Sequence, residues 1–175
     1  VDSSVVLALA KKALGDNVLA VTVDSPVTPP WELKEAVKIA NLLGVKHLVV
    51  RVNELEEVPG FAGNPRDRCY LCKKFRFSLL KRLAAEKGFN AVLDGTNLSD
   101  LGEYRPGLRA LKELGVISPL LEARLGKSES REVARFLGLP NYDKASNACL
   151  ATRFPYGCKL TVEKLRRVAE AERFL

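Results

Sequence analysis

Residues 1–25 read VDSSVVLALAKKALGDNVLAVTVDS, and their pattern decides the fold class. Ser3 or Ser4 is suited to cap a helix whose apolar face uses Val6, Leu9, Ala10 and Ala13. Gly15 is placed to stop it. Val18 to Val23 is then a β-branched apolar run, too short for a helix and too uniformly apolar for a half-exposed strand. That predicts a strand covered on both faces, the kind found in parallel sheets.

The same alternation continues outward. Pro29 and Pro30 precede a helix through Leu43, with Gly44 as its stop. His47 to Val52 is the next strand. Asn53 to Asp67 carries Pro59, Gly60, Gly63 and Pro65 and reads as a loop. A helix follows from Arg68 to Lys87, with Leu71, Phe75, Leu79 and Leu83 in one row and Gly88 at its end. Ala91 to Asp94 is a short strand leading into Gly95, Thr96 and Asn97. Leu108 to Leu114 is a helix, and Ile117 to Leu120 a further strand. Ser128 starts a helix ending near Leu137 and Gly138. Residues 140–160 read as irregular, and Thr161 starts a last helix that runs to Leu175. Strands separated by helices predict a doubly wound α/β fold, a parallel sheet with helices on both faces. Ligands of such sheets sit beyond the carboxyl ends of the strands. The loops after Val23, Asp94 and Leu120 and the helix start at Asp2 are the first candidates.

Composition narrows the partners. The chain has 175 residues, 47% hydrophobic and 28% charged, enough for one globular domain with its own core. No apolar run reaches the roughly 18 residues of a membrane span, and no secretory signal opens the chain, so a cytoplasmic protein is expected. Methionine is absent, which points to a fragment or a processed product. Lys and Arg number 28 against 21 Asp and Glu, a formal charge of +7. That excess favours anionic partners such as nucleotides, phosphorylated metabolites or RNA.

Four cysteines occur, two of them in RDRCYLCKK at residues 66–74. Cys69 and Cys72, at i and i+3, share one face near a helix start. The helix dipole and Arg66, Arg68, Lys73 and Lys74 favour thiolates there. A disulfide, a zinc site, an iron–sulfur site and buried thiols all remain open on spacing alone, although the cytosol disfavours the disulfide. His47, the one histidine, and Trp31 read as structural residues. Lys164, Arg166 and Arg167 read as a solvated helix face.

Three segments stand at candidate ligand positions: Val1-Asp2-Ser3-Ser4 at a helix start, Asp94-Gly95-Thr96-Asn97 at a strand end, and Gly126-Lys127-Ser128 at another helix start. The first resembles the end of the SGGxDS pyrophosphate loop of the PP-loop ATP pyrophosphatase superfamily. With Glu103-Tyr104-Arg105-Pro106-Gly107 and the segment from Ser146 to Gly157 (SNACLATRFPYG), the chain resembles the ATP-dependent sacrificial sulfur transferases, the sulfur insertases of nickel-pincer cofactor synthesis for lactate racemase. The resemblance covers essentially all 175 residues.

The resemblance implies a PP-loop fold whose first strand and part of the loop are missing. It implies a sulfur transferase domain over residues 1–157, with 158–175 opening a C-terminal region otherwise absent. It also implies an enzyme that adenylates a carboxylate of a pyridinium-3,5-biscarboxylate mononucleotide with ATP and Mg²⁺, and replaces an oxygen by sulfur. Asp2, Ser3, Ser4, Gly95, Thr96 and Lys127 would then serve ATP and Mg²⁺, and Arg105 and Arg153 the phosphate or the acyl adenylate. In single-cysteine members the enzyme's own cysteine supplies the sulfur, but that position aligns with Ala148. Three-cysteine members hold a [4Fe–4S] cluster, and Cys69, Cys72 and Cys149 match that set, leaving Cys158 spare. The implied partners are the pyridinium substrate, a sulfide source and, in the full-length protein, further copies of the chain. Membrane and nucleic-acid partners are not expected. A PP-loop tRNA thiolase and a zinc-stabilised nucleotide-binding module are the competing readings.

Overall fold

A computed structural model describes residues 1–102 and 104–174. Helix α1 spans Asp2–Leu14, followed by strand β1 at Leu19–Asp24, helix α2 at Pro30–Leu42 and strand β2 at Lys46–Arg51. Strands β1 and β2 pair in parallel, Leu19 opposite Lys46 through Asp24 opposite Arg51. A second parallel pairing joins Leu93 to Ile117, with the Asp94 N–H donating to the Ile117 carbonyl and the Ile117 N–H to the Val92 carbonyl, both at 3.0 Å. The chain is an α/β protein of parallel strands crossed over by helices, as its alternation predicts.

Helix α3 at Glu54–Glu57 interrupts the expected loop, and Asn53 caps it by accepting the Leu55 N–H. Helix α4 runs Arg68–Glu86, α5 Gly107–Glu113, α6 Pro119–Glu122, α7 Lys127–Phe136 and α8 Val162–Phe174. The expected strand over Ile117 to Leu120 is therefore a correction. Its pairing stops at Ile117, because Pro119 has no N–H to give a ladder and its fixed φ suits a first helical turn. The capping role expected of Ser3 or Ser4 is also corrected. Val1 is the N-cap, and Ser4 lies inside the helix, buried, accepting from Asn141 Nδ2 at 3.0 Å.

Two hydrophobic cores hold the helices. One joins Val5, Val6 and Ala8 of α1 to Leu120, Ala134 and Leu139. The other joins Val27, Val58, Phe61, Leu150 and Leu160 to Leu165 and Ala169 of α8, with Trp31, Leu71, Cys72, Phe75 and Cys149 packed against it. Trp31 is thus a packing residue, and His47 bonds Thr22 Oγ1 on the neighbouring strand at 2.9 Å. Between β1 and the Ala91–Leu93 segment lies a cleft of about 830 Å³, walled by Leu7, Leu14, Val21, Leu80, Leu83 and Leu93 among others. Among the described residues β1 has β2 as its one strand partner.

Candidate active site

A polar cleft of about 410 Å³ opens where α1 begins and the Ala91–Asp94 segment ends. Asp2, Ser3, Ser4, Gly95, Thr96, Arg105 and Lys127 all line it, so seven predicted site residues from four separate segments share one cavity. The N–H groups in the first turn of α1 have no intrahelical acceptor and carry the positive end of the dipole, which suits an anion. Gly95 also packs directly against a neighbouring backbone. A Cβ there would stand 2.6 Å from the Ser3 nitrogen and 3.0 Å from the Asp2 carbonyl carbon, so the backbone that Gly95 admits is α1's own. Gly95→Ala should destabilise the protein by about 1–3 kcal/mol. It should also weaken ATP binding, which thermal unfolding and ATP titration of the same variant would show. An unchanged midpoint would contradict that packing.

Lys73, Ser99, Asp100 and Ser118, not assigned to the cleft from the sequence, join the predicted residues there. The Asp94 carboxylate, nearly buried, accepts from Thr96 Oγ1 and from Ser118 Oγ at 2.6 Å, and Lys73 Nζ lies 3.6 Å away. Lys73 belongs to α4, one residue after Cys72, and also reaches the cleft. Gly107 gives its stem room, because a Cβ there would meet Lys73 Cδ at 2.9 Å. Arg105 pairs with Asp100 at 3.1 Å. The Lys127 N–H donates to Ser99 Oγ at 3.1 Å, which ties the α7 start to the same rim. Glu103 of the YRPG motif lies outside the described residues.

A lip over residues 143–147 is pinned across the cleft. Arg131 donates to the carbonyls of Asp143 and Lys144. Lys144 pairs with Glu32 at 2.9 Å, and Asn147 Nδ2 donates to Glu32 at 2.7 Å. Burial pushes the Glu32 carboxyl up, but the Asn147 and Lys144 contacts outweigh it, leaving the pKa below the ordinary value. A depressed folded pKa means stability present above the unfolded value of 4.5 and lost as pH falls through the folded value. Glu32→Gln should remove that part of the acid-side loss, read as a flatter pH dependence of unfolding below pH about 4.5. A slope equal to wild type would contradict the assignment.

The cysteines form a second locus beside the cleft. Burial pushes the Cys72 thiol up to about 12; Arg76 opposes the rise, while Glu54, Cys149 and Cys69 add to it. Burial and then Cys149 raise Cys69, against Arg68, Lys73 and Arg105. Cys69, Cys72 and Cys149 therefore sit within electrostatic reach of one another, and Lys73 and Arg105 belong to both loci. Cys149 is brought there by its neighbours. The Leu150 N–H donates to the Val27 carbonyl at 2.9 Å, and Asn64 Nδ2 donates to the carbonyls of Phe154 and Pro155 at 3.2 and 2.9 Å. Arg153 does not line the cleft; it pairs with Glu172 on α8. Cys158 contacts Lys164 and Lys159 instead of the other cysteines.

A soft thiolate donor set suits zinc or an iron–sulfur cluster. Among the described residues no three His, Cys, Asp or Glu side chains are grouped to hold a metal ion directly. Arg68 nevertheless leaves buried guanidinium nitrogens without partners beside Cys69. An anionic thiolate-ligated group would match that cation in charge and the soft sulfur donors in chemistry.

Known proteins place the arrangement. A family model described as NAD synthase matches residues 1–65. The chain is 45% identical over 175 residues to an uncharacterized protein, slr1717, of Synechocystis, covering all of this chain and 65% of that protein. It is 38% identical over 176 residues to the pyridinium-3,5-bisthiocarboxylic acid mononucleotide synthase of Lactiplantibacillus plantarum, covering 100% of this chain and 63% of that enzyme. These likenesses agree with the PP-loop resemblance of the sequence. A U34-tRNA thiolase of Methanococcus maripaludis, solved with its [4Fe–4S] cluster, shares the fold of this chain. The TM-score is 0.61 at 22% identity, over 99% of this chain and 62% of the thiolase. The chain spans just under two thirds of the length of the curated relatives it matches. No helix among the described residues is long and apolar enough to cross a membrane.

Proposed function

We propose that this PP-loop protein is the core of a cytoplasmic ATP-dependent sulfur transferase. It adenylates a carboxylate of a pyridinium-3,5-biscarboxylic acid mononucleotide and exchanges oxygen for sulfur. The observation that carries the reading is a polar cleft at the start of α1 beside three cysteines, with Lys73 and Arg105 both lining the cleft and acting on Cys69. Identity to a synthase whose name gives the thiocarboxylate product supports the choice of substrate.

The α1 first turn and Lys127 bind the ATP phosphates, and Asp2 supplies a carboxylate for Mg²⁺. A substrate carboxylate oxygen attacks the α-phosphorus, and pyrophosphate leaves with the electron pair. Arg105 and Lys73 neutralise charge that grows on the phosphate oxygens. Arg153, released from Glu172, joins them at the acyl adenylate, where a guanidinium fork suits phosphate. Sulfur attack on the activated carbonyl expels AMP, which carries away the substrate oxygen. Cys69, Cys72 and Cys149 would hold a [4Fe–4S] cluster, which supplies a site for the incoming sulfide. The full-length protein is expected to act as a homo-oligomer, with free sulfide or a sulfide donor as co-substrate.

The test is anaerobic incubation of full-length protein with ATP, Mg²⁺, sulfide and the pyridinium mononucleotide. Pyrophosphate and a thiocarboxylate by mass spectrometry are expected. Thiolation of tRNA in a parallel incubation, with the pyridinium compound untouched, would assign the site to a tRNA thiolase. Zinc without iron, and no turnover on either substrate, would leave a nucleotide-binding module.

A further inference from the structure

Arg68 opens α4, the 19-residue helix that carries both cysteines of the CxxC pair. It is 7% exposed, and its Nε and Nη1 are sealed from solvent with no hydrogen-bond partner. Tyr156 stacks on it, with the guanidinium carbon 4.6 Å from the ring centroid. The ring holds the cation in place but accepts no in-plane N–H. A buried cation with open donors is costly, since it has given up hydration without gaining hydrogen bonds, and buried charges are otherwise paired.

The surroundings show what is available to balance it. Arg76, the other buried guanidinium of α4, has its carboxylate: it pairs with Glu54, which is fully buried and also accepts from Ser25. Among the described residues Arg68 has no such partner, while Cys69 follows it in the chain and Tyr156 lies on the segment that brings Cys149 in. As three neutral thiols the locus carries no charge to meet Arg68. Three thiolates around a [4Fe–4S]²⁺ core carry a net charge of one minus.

We propose that Arg68 is the buried counter-cation of a thiolate-ligated iron–sulfur cluster. It makes the cysteine locus selective for an anionic occupant, slows loss of iron and raises the cluster's reduction potential. Its side chain is a positioning and charge-balancing group that touches neither ATP nor the substrate carboxylate. The proposal rests on the cluster reading given above and adds a residue to it.

The experiment uses full-length protein reconstituted anaerobically, as wild type, Arg68→Met and Arg68→Lys. Methionine keeps length and apolar packing under Tyr156; lysine keeps the charge. Iron loss to a chelator should be about tenfold or more faster in Arg68→Met, the factor for one lost charge-assisted contact, and intermediate in Arg68→Lys. The reduction potential should fall in the same order, because removing a nearby cation disfavours the added electron. The cluster-free proteins should show the opposite trend, with Arg68→Met unfolding at or above the wild-type temperature, since it removes an unpaired buried charge. A cluster-free Arg68→Met that unfolds well below wild type, or does not fold, overturns the proposal by making Arg68 a structural residue. So does an iron-bearing Arg68→Met with wild-type chelation rate and potential. Wild-type protein that binds zinc and no iron defeats the cluster reading itself, and the role of Arg68 with it.

Discussion

Cys149→Ala in the full-length protein should lose most of its bound iron, and Cys69→Ala and Cys72→Ala should each do the same. Cys158→Ala should retain it. The reason is the layout of the four sulfurs. Cys69 and Cys72 lie one helical turn apart at the start of α4, and Cys149 stands at the head of the turn docked by Val27 and Asn64. Cys149 raises the proton affinity of both Cys69 and Cys72, and Cys69 that of Cys72, so the three share one electrostatic neighbourhood, whereas Cys158 faces Lys164. Three ligands are the minimum that keeps a cubane cluster in place with one iron open, so no single loss is tolerated. Iron and acid-labile sulfide per chain after anaerobic reconstitution give the answer. Equal iron in wild type and Cys149→Ala would remove Cys149 from the set. With sulfide supplied, turnover should be multiple, because no protein cysteine is consumed. Conversion of Cys149 to dehydroalanine after a single turnover, seen as a loss of 34 Da by intact mass (roughly the mass of H₂S, a cysteine thiol leaving by elimination), would make it a sacrificial donor.

The second large effect concerns the cleft. Asp2→Asn or Lys127→Ala should lower substrate-dependent pyrophosphate release by about a hundredfold or more, the usual scale for removing one preorganised charge stabiliser from a transition state. Both residues open helices, α1 and α7, whose N-termini line one cavity. Asp2 faces it as a carboxylate suited to Mg²⁺, and Lys127 as a compact cation suited to phosphate. Asn keeps the shape of Asp2 and removes its charge, so a folded but inactive Asp2→Asn isolates the electrostatic term. Unchanged release in both variants would place ATP elsewhere.

Much of this was legible in the residues, and the parts that were not have definite causes. Helix α1, β1, β2 and α4 follow from period and punctuation: a 3.6 repeat ended by Gly15, two β-branched runs, and a long apolar row from Leu71 to Leu83. The strand expected after Ile117 failed because Leu120 is apolar in either state, and the decisive signal was Pro119 behind Ser118. At the cleft, the strand end at Asp94 and the helix starts at Asp2 and Lys127 are visible as local motifs. Glu32, Lys73, Asp100 and Arg131 are not, since each is an ordinary charged residue whose meaning depends on which element faces it. Lys73 offered a trace of itself: it adjoins Cys72 within the basic run, and Gly107 leaves the space its stem needs. Arg68 stood out only as one of four basic residues around the CxxC pair; its burial was not legible, because a buried arginine and a solvated one are written identically.

The apolar cleft between β1 and the Ala91–Leu93 segment has a colloidal consequence. Among the described residues the open edge of β1 there offers backbone donors and acceptors beside leucine and valine side chains, which is a template for any extended polypeptide. Prepared as these 175 residues alone, the polypeptide should bind a solvatochromic apolar dye and scatter light increasingly with concentration. A charge of +7 slows that association at low ionic strength, and added salt should speed it by screening the repulsion. Its shelf life in the tube is thus set by a seam in the sheet that backs onto the polar cleft, the two sharing Ser3 and Ser4.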